Sequence, residues 1–122
     1  PGTGSLMEKG KADGENFTLN IPMDAGSGDE EYREAFRDRI IPALDSFRPE
    51  FILISAGFDA HRNDPLAGIN LSTAMFGEFT KMLVDAAARH SKNRVIALLE
   101  GGYNLEALAA SVERMMSVFV GG

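Results

Sequence analysis

Apolar residues recur along this chain with two different periods, and each period predicts a different kind of element. Residues 51–55 (Phe-Ile-Leu-Ile-Ser) and Val95–Leu99 are continuous apolar runs, typical of strands buried on both faces of a parallel sheet. Elsewhere apolar residues recur every three or four positions, which is typical of amphipathic helices. Three such helices are predicted, over residues 27–47, 72–90 and 104–119.

The first part of the chain carries weaker signals. Residues 1–15 are rich in glycine, lysine and aspartate, and are expected to form a loop. Residues 16–23 alternate apolar and polar side chains from Phe17 onward, which predicts a short strand near a sheet edge. Pro42 lies inside the helix predicted over 27–47 and has no backbone N–H, so a kink or break is expected there.

The resulting order is strand, helix, strand, helix, strand, helix. Such alternation predicts an α/β fold with three layers, in which a mainly parallel sheet is flanked by helices and joined by right-handed crossovers. No internal repeat or linker divides the chain, so residues 1–122 are expected to form a single unit.

Composition narrows the range of partners. The 122 residues carry a net charge of −6 with scattered basic residues, which argues against a nucleic-acid partner. The absence of cysteine excludes disulfides and thiolate zinc sites. No apolar run has transmembrane length and no signal peptide is visible, so we expect a cytoplasmic protein without a membrane partner. Because the first residue is Pro1, we also expect the chain to be part of something longer.

Two loops after predicted strands carry candidate chemistry, since ligands of parallel sheets bind beyond the carboxyl ends of the strands. In the first loop Asp59 is a candidate metal ligand, although its spacing alone favours a helix cap or loop hydrogen bond. His61 is a candidate ligand or base, but a solvated loop histidine is the favoured interpretation. In the second loop Gly101-Gly102 permits close approach of the backbone to a ligand, and Tyr103 is either an oxyanion stabiliser or a packed aromatic.

Two longer segments make the pattern more specific. Residues 55–66 (Ser-Ala-Gly-Phe-Asp-Ala-His-Arg-Asn-Asp-Pro-Leu) and 99–105 (Leu-Glu-Gly-Gly-Tyr-Asn-Leu) resemble the C-terminal motifs of the histone deacetylase superfamily. Residues 1–4 and 19–22 are also similar to this family. The Glu-Gly-Gly-Tyr-Asn form is most similar to the class II branch and its bacterial relatives, the acetylpolyamine amidohydrolases and acetoin-utilisation proteins. The resemblance implies an arginase/deacetylase-like fold.

The resemblance also implies roles for individual residues. It implies that Asp59 is a zinc ligand and that Tyr103 stabilises the oxyanion. It also implies that three residues line the acyl-lysine tunnel: Gly101, Gly102 and Leu66. Phe17 falls near a position whose backbone carbonyl binds a structural K⁺ ion in some members. In the family pattern the residue at position 61 is variable, so His61 is not implied to bind metal.

The family's other two zinc ligands and its paired histidine base match nothing in these residues and are expected to precede Pro1. The resemblance therefore implies the C-terminal part of a zinc-dependent amidohydrolase that deacetylates acyl-lysine or acetylpolyamine substrates. We expect the isolated chain to be inactive, and to associate with itself or with the missing N-terminal part. The alternative is a non-catalytic fragment that self-associates through its exposed sheet. A nucleotide-binding domain ranks last, because no glycine-rich phosphate loop follows a strand.

Overall fold

The structure is a computed structural model that describes residues 2–121. It contains helices and strands in the order α1 (Asp29–Ala35), α2 (Ile41–Phe47), β1 (Ile52–Ala56), α3 (Thr73–His90), β2 (Val95–Leu99) and α4 (Leu105–Phe119). A short 3-10 helix, Ala12–Gly14, precedes them. Pro1, which belongs to one of the family-like segments, lies outside the described residues.

The two strands pair in parallel and α3 connects them. Ile52 lies opposite Val95, and Ala56 lies opposite Leu99. A parallel pair needs a crossover connection, and the helix between the strands supplies it. The α/β class with a parallel sheet is therefore confirmed, and β2 has the predicted bounds, whereas β1 begins one residue later than expected.

One face of the sheet packs against the helices. Ala86 and Ala87 of α3 are fully buried against Ile52 of β1. At the carboxyl end of the strands a second cluster forms around residues from β1, α3, α4 and the loop between them: Ala56, Phe58, Leu71, Met75, Phe76 and Met115. The core of residues 2–121 therefore lies between the sheet and the helices, beneath the two loops that carry the candidate chemistry.

The opposite face of the sheet is exposed. Leu53 is 65% exposed, Ile96 51% and Leu98 49%. The prediction that both strands are buried on both faces is therefore wrong for the described residues. The reason is that their helices pack on one side only, so alternate side chains of each strand point away from the core.

The strand predicted over residues 16–23 does not form. Asn16 lies in a turn with a φ of +68°, and residues 17–23 have no regular secondary structure and no ladder to β1 or β2. Phe17 is 69% exposed, and its ring meets the edge of the Phe47 ring with centroids 5.9 Å apart. Alternation predicts only which residues would face one way, and a strand also needs a neighbour with which to form hydrogen bonds.

The irregularity expected at Pro42 lies just before it. Residues Phe36–Ile40 form a π-helical turn between α1 and α2, and Ile41 donates its N–H to the carbonyl of Phe36. In a regular α-helix the ring of Pro42 would press on the carbonyl of Asp38, and the wider turn relieves that clash. The helix therefore widens ahead of the proline and continues beyond it.

Polar side chains cap the N-termini of helices α3 and α4. Ser72 Oγ accepts a hydrogen bond from Met75 N at 3.2 Å, and Asn104 Oδ1 accepts one from Ala107 N at 2.9 Å. These side chains satisfy backbone donors that have no partner within the helix. No helix among residues 2–121 combines the length and apolarity needed to cross a membrane.

Candidate functional site

The loops that follow β1 and β2 lie side by side. Phe58 N donates to the carbonyl of Gly101 at 2.9 Å, and Glu100 N donates to the carbonyl of Ala56 at 3.0 Å. The hydroxyl of Ser55 donates to Glu100 Oε1 at 2.8 Å. Because the strands are parallel neighbours, both loops emerge at the same edge of the sheet, as the sequence analysis required.

Asp59 lies between the two glycine-containing turns. A Cβ atom on Gly57 would lie 3.2 Å from Asp59 Oδ1, and one on Gly101 would lie 3.4 Å from Asp59 Oδ2. The carboxylate of the first loop therefore rests against the backbone of the second. Larger side chains at either glycine would displace it.

Tyr32 on α1 is a neighbour of this carboxylate that sequence reasoning did not identify as part of the site. Burial raises the pKa of Tyr32 above its usual value, and the negative charge of Asp59 raises it further. Tyr32 belongs to the apolar period of the helix predicted over residues 27–47. That period could not predict which residue of a later loop would lie near the Tyr32 ring, because that depends on how α1 packs.

Tyr103 and Leu66 lie on either side of one buried carboxylate. Tyr103 N donates to Asp64 Oδ2 at 2.6 Å, and Leu66 N donates to Asp64 Oδ1 at 3.1 Å. The side chains of Tyr103 and Leu66 are both largely exposed, at 60% and 65%. The structure thus brings these two predicted site residues together through their backbones and leaves their side chains available at the surface.

Asp64 joins the two loops and was not singled out from the sequence. It is only 8% exposed and also accepts from Asn104 N at 3.1 Å. Burial alone would raise the pKa of Asp64, but the backbone N–H groups of Tyr103, Leu66 and Asn104 hold it below its usual value. Its bond to Leu66, two residues onward, is the signature of an Asx turn and could have been suspected from sequence. The bonds across to the second loop could not.

His61 is not the solvated loop histidine that the sequence favoured. It is 5% exposed, its ring is nearly parallel to that of Phe76 with centroids 6.3 Å apart, and Nε2 lies 3.0 Å from Thr73 Oγ1. Asn63 N donates to Nδ1 at 3.1 Å. Both ring nitrogens therefore have protein partners, and His61 fastens the first loop to the start of α3.

Gly102 occupies a backbone conformation that disfavours other residues. Its φ is +136°, and a Cβ atom there would lie 3.0 Å from Leu108 Cδ1 and 3.2 Å from Phe58 Cβ. Gly102 thus lets the second loop cross closely over the first loop and α4. The sequence predicted a close approach of the glycine pair to a ligand, and that role stays a prediction.

The described residues do not by themselves complete a zinc site. Catalytic zinc usually has three protein ligands, and no group of three or more His, Cys, Asp or Glu side chains in residues 2–121 is arranged to hold a metal. Asp59 can supply one carboxylate ligand. Phe17 lies against Phe47, within the N-terminal part of the chain, and its role at a K⁺ site stays a prediction.

An apolar cavity of about 190 Å³ lies behind the first loop. Its walls come from α1, α3, α4 and the end of β1, and include Tyr32, Gly57, Phe58, Phe76 and Met115. No charged side chain lines it, and neither Asp59 nor Tyr103 does. It is therefore an apolar pocket next to the candidate site, and the predicted site residues Asp59 and Tyr103 lie outside it at the loop edge.

The chain is similar in sequence to known histone deacetylases and to a related amidohydrolase. The family model for the histone deacetylase domain matches residues 1–119. The chain is 45% identical over 121 residues to "Histone deacetylase 10, chloroplastic" of Oryza sativa subsp. japonica, covering 99% of this chain and 27% of that protein. It is 39% identical over 104 residues to "Histone deacetylase-like amidohydrolase" of Pseudomonas aeruginosa, covering 85% of this chain and 27% of that protein.

The fold of the chain is also similar to that of a solved structure from these relatives. The crystal structure of the "HDA15 HD domain" superposes with a TM-score of 0.92 at 38% identity, covering 99% of this chain and 33% of that chain. The 122 residues thus match about a third or less of each of these relatives.

Proposed function

The chain belongs to the histone deacetylase family, and from that membership we propose that it supplies part of the active site of a zinc-dependent amidohydrolase acting on acyl-lysine or acetylpolyamine substrates. The observation that carries the proposal is the position of the Asp59 carboxylate. It rests on Gly101, two residues before Tyr103, so a candidate metal ligand and a candidate oxyanion stabiliser emerge from adjoining turns.

Each residue has a physical role in this proposal. Zinc, when bound, polarises water and the acyl carbonyl. Asp59 is one of its protein ligands. The phenol of Tyr103 donates a hydrogen bond to the oxygen on which negative charge develops during attack on the carbonyl. Leu66 and the side-chain-free backbone of Gly101 and Gly102 form part of the wall along which the acylated amine lies.

The remaining zinc ligands and the general base would come from outside these residues. A single carboxylate does not hold catalytic zinc, and without a base near the metal no group takes the proton of the attacking water. The isolated chain is therefore proposed to be inactive, and its working partner is the rest of a deacetylase domain.

The test uses the complete gene product that carries these residues. Turnover of an acetyl-lysine peptide and an acetylpolyamine is measured together with zinc content for the wild type, Asp59→Asn and Tyr103→Phe. Asp59→Asn should lose both zinc and activity. Tyr103→Phe should retain zinc and lose roughly 10²–10³-fold in kcat, the usual effect of removing one oxyanion donor.

A matched control is Asp85→Asn, because Asp85 is exposed on α3 and, among residues 2–121, its ion pair is with Lys81 at 2.9 Å. It should retain both zinc and activity. Unchanged turnover in Asp59→Asn would contradict the proposal. Absence of both zinc and turnover in the folded wild type would favour the alternative of a non-catalytic protein, which the exposed apolar sheet face makes worth testing.

A further inference from the structure

We propose that Asp64 is a positioning residue, whose carboxylate holds the backbone of Tyr103 so that the phenol stays where the reaction needs it. This inference rests on the function proposed above, because it gives Asp64 a task only if Tyr103 has one. The residue was not singled out by its sequence and is assigned here from its contacts.

Both oxygens of Asp64 accept hydrogen bonds from backbone N–H groups of two different loops. Oδ2 accepts from Tyr103 at 2.6 Å and from Asn104 at 3.1 Å, and Oδ1 accepts from Leu66 at 3.1 Å. One buried side chain therefore fixes the spacing between the loop after β1 and the loop after β2.

The position of Tyr103 depends mainly on its backbone contacts. Its side chain is 60% exposed, so packing constrains it little. The preceding Gly102 has no side chain to pack. The backbone N–H groups bound to Asp64 therefore restrain the Tyr103 Cα directly. Two further bonds hold the same turn: Asn104 Nδ2 donates to the carbonyl of Asn63 at 3.2 Å, and Phe58 N donates to the carbonyl of Gly101 at 2.9 Å.

The position of the Tyr103 phenol affects the rate of the proposed deacetylation. A hydrogen-bond donor stabilises a developing oxyanion only when it lies at bonding distance from the position that the oxygen will occupy. A displacement of about 1 Å in a reacting geometry can cost roughly 10²-fold in rate. A residue that touches only the backbone of Tyr103 can therefore control the contribution of its phenol.

Asparagine is a suitable probe at this position. It has nearly the same shape as aspartate but only one acceptor oxygen, so it cannot satisfy both loops at once. In Asp64→Asn either Leu66 N or the pair Tyr103 N and Asn104 N faces an amide NH₂ group and loses its acceptor. We expect kcat to fall by about 10-fold to 10²-fold, with a much smaller change in KM.

The decisive experiment is a double-mutant cycle in the complete gene product: wild type, Asp64→Asn, Tyr103→Phe and the double variant, each measured for kcat, KM, zinc content and Tm. If Asp64 acts through the phenol, Asp64→Asn should change kcat by less than about 3-fold once Tyr103 is Phe. A general loss of fold quality would lower kcat equally in both backgrounds. Asp85→Asn is the matched exposed control, and its kcat should stay at the wild-type value.

The outcomes separate the two proposals. If Tyr103→Phe lowers kcat but Asp64→Asn does not, or if the two effects are additive, the positioning role is wrong while the proposed function stands. If the wild type has no deacetylase activity, or if Tyr103→Phe has no effect, both are wrong. Should Asp64→Asn fail to fold, Asp64→Glu, which keeps the charge, takes its place in the cycle. If neither folds, Asp64 is a folding determinant and the positioning role is rejected.

Discussion

The imidazole of His61 and the hydroxyl of Thr73 lie 3.0 Å apart, joining the loop after β1 to the first turn of α3. Since Nδ1 accepts from Asn63 N at 3.1 Å, the neutral ring carries its proton on Nε2 and donates it to Thr73. A second proton would have to occupy Nδ1, where the Asn63 N–H already points. Burial lowers the pKa of His61 below its ordinary value, and the charge of Arg62 lowers it further.

This arrangement predicts a loss of stability at mildly acidic pH. The folded pKa of His61 is lower than the unfolded one, so its contribution is fully present above about pH 6.5 and falls as pH drops from there toward the folded pKa. We expect His61→Gln, which cannot titrate, to show a smaller fall in Tm between pH 7.5 and pH 5 than the wild type. Thermal unfolding of the complete gene product across this range measures it.

The control for this experiment is His90→Gln, since the 122 residues contain two histidines. His90 on α3 pairs with Asp45 of α2 at 2.7 Å, far from His61 in the chain, so this variant retains His61 and should keep the pH dependence that His61 causes. Equal pH dependence in wild type and His61→Gln would show that His61 does not govern acid stability.

A second prediction concerns Gly102. Its φ of +136° and the 3.0 Å approach to Leu108 Cδ1 leave no unstrained place for a methyl group. Gly102→Ala should therefore lower the free energy of unfolding by about 1–3 kcal/mol, the usual cost of a residue held in a sparsely populated backbone region. Urea denaturation of the complete gene product measures the change.

Gly14→Ala is the matched control for Gly102→Ala. A Cβ on Gly14 would meet nothing within 4 Å, and its backbone is outside the left-handed region. Its stability should stay within about 0.5 kcal/mol of the wild type. If the two variants have the same stability, the close crossing of the second loop over α4 is not the constraint described here.

A third prediction concerns the exposed sheet face of the isolated 122-residue chain. Leu53, Ile96 and Leu98 form an apolar surface on paired strands, and such surfaces associate in water. We expect light scattering to give a mass above that of a monomer, and Leu53→Lys to lower it. Leu105→Lys, at a site that is 77% exposed but outside this face, should leave the mass unchanged. A monomeric wild-type chain would contradict the prediction.

A fourth prediction concerns the isolated chain and zinc. With one candidate carboxylate and no group of three ligands among residues 2–121, the chain alone should bind zinc weakly and should not turn over an acetyl-lysine peptide. Equilibrium dialysis and a peptide assay measure these properties, and Asp59→Asn should change neither. Turnover by the chain alone that Asp59→Ala abolishes would overturn this prediction.

Local features of the fold were predictable because neighbouring residues decide them. The bounds of β2, the extent of α3 and the caps Ser72 and Asn104 follow from apolar period and from side chains that reach backbone groups within one turn. The strand predicted over 16–23 failed for the complementary reason. A strand needs a distant partner, and no local pattern specifies one.

The sequence by itself determined the α/β class, the motifs that place the chain in its family, and the two loops that carry Asp59 and Tyr103. The tertiary structure alone decided that His61 is buried, that one face of the sheet is uncovered, and that Asp64 bridges the loops. These contacts join residues that lie far apart in the chain, such as Asp64 and Tyr103. They arise only when β1 and β2 pair and bring the two loops to one edge of the sheet. The spacing of apolar residues in the sequence therefore does not predict them.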